Sequence, residues 1–122
     1  MLTITEHAAE AQLSIARAER DVADGALLQA SNQAWHAVKH AINAVAVSRN
    51  RSPAPVQYPE KRRFIDELAV EPGNNGLKQW FGHPWQLHGN ADQGFLPAGD
   101  VTQSVRMTRR LVDRLLDLAG HQ

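Results

Sequence analysis

The chain has 122 residues and no cysteine, which excludes disulfides and thiolate metal sites; its length fits one domain that can bury a core unaided. Lys plus Arg and Asp plus Glu are equal at 13 each, so no net charge draws the molecule to a polyanion, and any phosphate contact must be local. The start, MLTITEHAAE, has no basic n-region, and no run is apolar enough to span a bilayer; the expectation is a cytoplasmic protein without membrane contact.

Thr3-Ile4-Thr5-Glu6 has the form of a capping box. Behind it, Ile4, Ala8, Ala11, Ile15, Ala18 and Val22 make one helical stripe that stops near Asp24-Gly25. The second helix is predicted from about residue 26 to about residue 49. Leu27, Leu28, Ala34, Trp35, Val38, Ala41, Ile42 and Val45 fall at three- and four-residue steps, with Gln29, Gln33, His36, His40 and Asn43 opposite. RSPAPVQYP, residues 51–59, has three prolines and reads as a loop. EKRRFIDELAV, residues 60–70, predicts a short helix with Phe64, Ile65 and Leu68 inward. EPGNNG is a turn cluster. A fourth helix is predicted from about Leu77 to about Leu87, with Pro84 inside it, and GNADQGFLPAG as loop. Asp100 is expected to cap the last helix, which carries Val101, Val105, Thr108, Val112, Leu115 and Ala119 on one face.

No segment sustains strand alternation. The fold class is therefore all-α: an up-and-down antiparallel helical bundle of about five helices, three long and two short, spanning residues 1–122 as a single domain. Helices one, two and five are expected to form most of it.

Three groups of residues invite a chemical reading. His83 and His88 share the stretch GHPWQLHGN, but a regular helix offsets them by about 140°, so they make no natural ligand pair. His36 and His40 stand one turn apart on one face, a spacing that can hold a divalent metal. Here there is no HExxH motif, and Lys39 beside them repels a cation, so no metal site is assigned. Trp35, Trp80 and Trp85 can stack on bases, Trp35 being expected in the core and the other two nearer the bundle edge. Lys61-Arg62-Arg63 is read as solvated, and the arginines of the last helix as an exposed face ion-paired with Asp113 and Asp117.

The run GALLQASNQAWHAVKHAI, residues 25–42, resembles the second-helix signature of HEPN domains, and LHGNADQGFLP, residues 87–97, resembles a segment of the PaREP branch of that superfamily. The two pieces stand in the family's order, and the resemblance covers nearly the whole chain. It implies a helical bundle, usually a homodimer. Many such domains are ribonuclease toxins paired with a nucleotidyltransferase antitoxin, and others are inactive RNA- or nucleotide-binding modules. The active ones carry Arg-x(4–6)-His, the histidine handling protons at a ribose 2′-OH and the arginine stabilising phosphate charge. His88 matches that histidine. No arginine occurs between Arg63 and Arg106; His83 stands at the required separation instead, with Pro84 after it. An imidazole does not imitate a permanent, forked guanidinium.

The expected function is a nucleotide- or RNA-binding module without the ribonuclease motif, using His83, His88 and Asn90, with no cofactor. One alternative is a non-catalytic dimerising bundle that acts through protein contacts. The other is a weak, metal-independent endoribonuclease with His88 as its catalytic residue and a nucleotidyltransferase-type partner.

Overall fold

Thr3 opens the first helix as its spacing requires. Its Oγ1 accepts the Glu6 backbone N–H at 3.1 Å, and Glu6 Oε1 accepts the Thr3 N–H at 2.9 Å, which satisfies two donors near the helix start. In the computed structural model, which describes residues 2–51 and 54–120, this helix is α1, Ile4–Ala23. Gly25 then takes a left-handed φ of 77°, and the chain reverses into α2, Leu27–Ser48. The remaining helices are α3, Tyr58–Ala69, α4, Leu77–Gln93, and α5, Ala98–Leu118. No strand occurs among the described residues.

The buried surface of α2 is wide. Ala30, Ala34, Ala37 and Ala41 are buried on one side, and Trp35, Val38, Ile42 and Val45 on the adjoining one. This helix therefore becomes the centre of the bundle, packed against α1, α4 and α5. Side-chain partners fix the directions. His7 and Glu10 of α1 meet His40 and His36 of α2. Ser31 and Trp35 of α2 meet Asn90 and Trp85 of α4. His83 of α4 meets Ser104 of α5, and Asn74, just before α4, meets Arg114. Each of these pairings runs in opposite chain order, so α1 and α2, α2 and α4, and α4 and α5 are antiparallel, while α2 and α5 run in the same direction. One apolar cluster draws on all five helices, including Ile15, Phe64, Ile65, Phe81, Leu87 and Leu111.

The structure corrects several boundaries. Of the proline-rich loop, Ser52 and Pro53 lie outside the described residues. α3 begins at Tyr58, two residues earlier than expected, with Pro59 in its first turn, where a missing N–H costs nothing. α4 runs through Gly89 and Asn90 to Gln93 rather than stopping near Leu87. Asn90 is the reason: its Nδ2 donates to Ser31 Oγ at 2.9 Å, and its Oδ1 accepts the Leu96 N–H at 2.7 Å. The last turn is thus tied to α2, and Gly94, at φ 63°, ends it. As a result α4 is a full member of the bundle, packed on both α2 and α5.

Asp100 does not cap α5. Pro97 does, in extended conformation, and Asp100 sits in the first turn, where the helix dipole favours a carboxylate. On the outer side of α5, Arg109 lies 3.5 Å from Asp113, as expected, but its two-bond partner is Glu19 of α1, at 3.1 and 2.6 Å, and Asp117 takes part in no ion pair among the described residues. Arg114 also departs from the expected ion-paired face: its Nε donates to Oδ1 of buried Asn74, whose Nδ2 donates to the Leu68 carbonyl, joining the end of α3 to α5.

Candidate functional site

Three residues at four-residue steps on α2, Trp35, Lys39 and Asn43, form one edge of a cleft. α4 contributes Trp85 and His88 from the opposite edge, and residues 54–58 with Lys61 of α3 close the third side. The space between them is about 550 Å³, the size of a small-ligand site.

Its walls are aromatic. The Tyr58 and Trp85 rings stack with centroids 3.8 Å apart, and Tyr58 lies parallel to Phe81 at 5.8 Å. His88 stacks on Trp35 at 4.8 Å, and Trp85 meets Trp35 edge-on at 5.6 Å. Trp35 is buried, with 7% of its surface exposed, as its place in the apolar stripe required. Trp85 is 38% exposed. Trp80 is half-buried and packs over Gly76, where any Cβ would meet its ring.

Two ammonium groups flank these rings. Lys61 is buried, contrary to the solvated reading of the KRR run. Its Nζ donates to the Pro55 carbonyl at 3.0 Å and to the Val56 carbonyl, which holds the segment before α3 in place. Burial pushes its amine below the ordinary lysine range, and the Lys39 charge pushes the same way. No described residue lining the cleft is acidic. Flat aromatic faces beside cations and an amide suit a base or other planar group carrying phosphate.

Of the three residues singled out in the sequence, the structure brings only His88 to this cleft. His83 points toward α5, where its Nδ1 lies 3.0 Å from Ser104 Oγ, and burial holds its pKa below the usual value. Asn90 is buried, with its amide committed to Ser31 and Leu96. The sequence did not single out Lys39, Asn43, Tyr58 or Lys61 as site residues. On α2 the sequence set Asn43 opposite the Trp35 stripe, whereas the structure brings Trp35, Lys39 and Asn43, at four-residue steps, to one edge of the cleft. On α3, Lys61 falls on the buried Phe64–Ile65–Leu68 stripe, and packing of α3 against α4 brings Tyr58 here.

A second group lies across the α1–α2 seam. His36 Nε2 is 3.9 Å from Glu10 Oε2, and His7 Nδ1 is 2.9 Å from His40 Nδ1. Partial burial is the main reason that His7, His36 and His40 are all held below the ordinary histidine pKa. The Lys39 charge adds to this at His36, and the charge of His36 at His40.

The family model for the archaeal PaREP1/PaREP8 family matches residues 6–116. Among solved structures, the crystal structure of a Sulfolobus solfataricus protein is similar, with a TM-score of 0.79 and 18% identity, over 92% of this chain and 98% of that one. At that identity the likeness speaks for the fold alone. No curated protein matches the sequence. No described helix is long and apolar enough to cross a membrane.

Proposed function

The chain belongs to the archaeal PaREP1/PaREP8 family, and on that premise we propose that it is a HEPN-like, non-catalytic module that binds a nucleotide or a single-stranded RNA base in the α2–α3–α4 cleft. The observation that carries the reading is the aromatic cleft itself, with Tyr58, Trp85, Trp35 and His88 as walls and Lys39 and Lys61 beside them. A base packs against the exposed part of the stacked Tyr58–Trp85 wall, and the phosphate meets Lys39, the more accessible ammonium. Lys61 is already bound to two carbonyls and shapes the wall. His88 serves as a stacking and hydrogen-bonding residue. No arginine is among the described lining residues, so the phosphate-stabilising half of a HEPN ribonuclease motif has no counterpart in the cleft.

The test is titration of the purified protein with nucleoside monophosphates and with a short single-stranded RNA, followed by tryptophan fluorescence and calorimetry. Binding should quench fluorescence and be weakened in Trp85→Ala and in Lys39→Ala. Absence of heat and of quenching at millimolar nucleotide would overturn the proposal.

A homodimer that works through protein contacts is favoured by one observation. Leu13 lies off the buried stripe of α1 and is 46% exposed, and Leu28 and Phe95 are exposed at 51% and 56%. Light scattering decides this reading: a monomer at all concentrations ends it.

A further inference from the structure

Across the α1–α2 seam the chain brings together imidazoles that are far apart in sequence. His36 and His40 stand one turn apart on α2, with ring centroids 4.6 Å apart. The facing turn of α1 brings Glu10 to them. One ligand atom from each of Glu10, His36 and His40 lies within 4.8 Å of the others.

We propose that Glu10, His36 and His40 bind a divalent transition-metal ion of the zinc class at the α1–α2 surface. Nitrogen and carboxylate donors at about 2.0–2.2 Å from a tetrahedral ion stand about 3.3 Å from each other. The trio stands somewhat wider, with Glu10 Oε2 and His36 Nε2 3.9 Å apart, so an ion draws the donors together. Glu10 and His36 have side chains about half exposed, 48% and 42%, so an ion enters directly from solvent. The ligands sit on two helices already packed together, so the ion fixes an existing geometry.

His7 gives the site its outer support. Its Nδ1 lies 2.9 Å from Nδ1 of His40, so the hydrogen bond between them sets the His40 ring plane. The positive charge nearest in sequence, Lys39, lines the cleft on another side of α2. Lys39 and Arg17 are nonetheless close enough for His36 to feel their charge, and Glu10 supplies the carboxylate that offsets a cation. Three protein ligands leave a position open to water.

The test is calorimetric titration of the metal-free protein with zinc and, separately, with cobalt, whose visible absorption reports coordination by nitrogen and oxygen. No nucleotide is present, so the result is independent of the cleft. The wild type should bind one ion per chain. Glu10→Gln, His36→Gln and His40→Gln should each weaken binding about tenfold or more, while His88→Gln binds as the wild type does. Glu10 and His36 are exposed enough that their variants fold, and circular dichroism checks this for His40→Gln. Failure of the wild type to bind one ion overturns the proposal. So does wild-type affinity in any of the three ligand variants, or equal weakening in His88→Gln.

Discussion

Asn90 on α4 donates its side-chain amide to Ser31 Oγ on α2 at 2.9 Å, and the two residues are 59 apart in the chain. Ser31 in turn donates to the Leu27 carbonyl at 2.9 Å, and Asn90 Oδ1 accepts from Leu96 N–H at 2.7 Å. The chain leaving α4 is thus fastened to the first turns of α2 by a satisfied, buried polar network. Asn90→Ala strands the Leu96 N–H and removes the partner of Ser31. It should lower unfolding free energy by about 1–3 kcal/mol, measured by urea denaturation. A change below about 0.5 kcal/mol would mean that water replaces the amide without loss.

Trp85 and Trp35 should separate under mutation. Trp85 is 38% exposed and Trp35 7%, so Trp85→Ala removes a binding surface whereas Trp35→Ala opens the core. Stacking on one base contributes about 1–3 kcal/mol, so nucleotide affinity should fall about 5- to 150-fold in Trp85→Ala, with a smaller loss of stability than in Trp35→Ala, since the ring contacts to Tyr58 and Trp35 go but the core stays closed. In Trp35→Ala, about 3–5 kcal/mol of stability should be lost. Fluorescence titration and thermal melts of both variants check this.

Lys61→Met keeps an unbranched side chain, one atom shorter, and removes its three donors. The Pro55 and Val56 carbonyls then lose their ammonium partner, a loss of about 1–3 kcal/mol. The segment before α3 should become cleavable by protease while helix content stays constant. Unchanged proteolysis would show that Tyr58 and Pro59 hold the segment unaided.

Acid should weaken the fold through His83. Burial lowers its folded pKa below the value of the unfolded chain, so in the interval between the two the unfolded chain binds more protons. Stability is therefore complete above the unfolded value, near 6.5, and falls as pH drops through the interval. His83→Gln retains a polar partner for Ser104 and removes the titration. Its denaturation midpoint should fall less than that of the wild type between neutral pH and about pH 5. Parallel pH curves would place the burial penalty elsewhere. His7, His36 and His40 are shifted the same way, so some acid sensitivity remains in the variant.

How far the sequence could be read depended on how local each cause was. The Thr3–Glu6 capping box, the stop at Asp24-Gly25 and the stripe through Trp35, Val38 and Ile42 all act within a few residues, and the structure repeats them. The end of α4 was misplaced because Gly89 and Asn90 look like loop residues, and what keeps them helical is Ser31 on another helix, with Gly94 ending the helix four residues later. The Lys61-Arg62-Arg63 run looked uniform, yet Lys61 faces inward at 4% exposure because packing of α3 turns that one position toward Pro55. His88 was the one site residue of the three that reached the cleft. The GHP half of its stretch faces α5 through His83, so two histidines adjacent on paper serve opposite sides of one helix. His7 drew no notice in the sequence, since its partner is 33 residues away.

The buried alanines of the α1–α2 seam carry a mechanical meaning. Ala8, Ala11 and Ala18 on one helix and Ala30, Ala34, Ala37 and Ala41 on the other are fully buried, and alanine has no side-chain torsion to readjust. Such a joint cannot yield by switching rotamers. A load that reaches the seam itself is answered by a shift of one helix against the other.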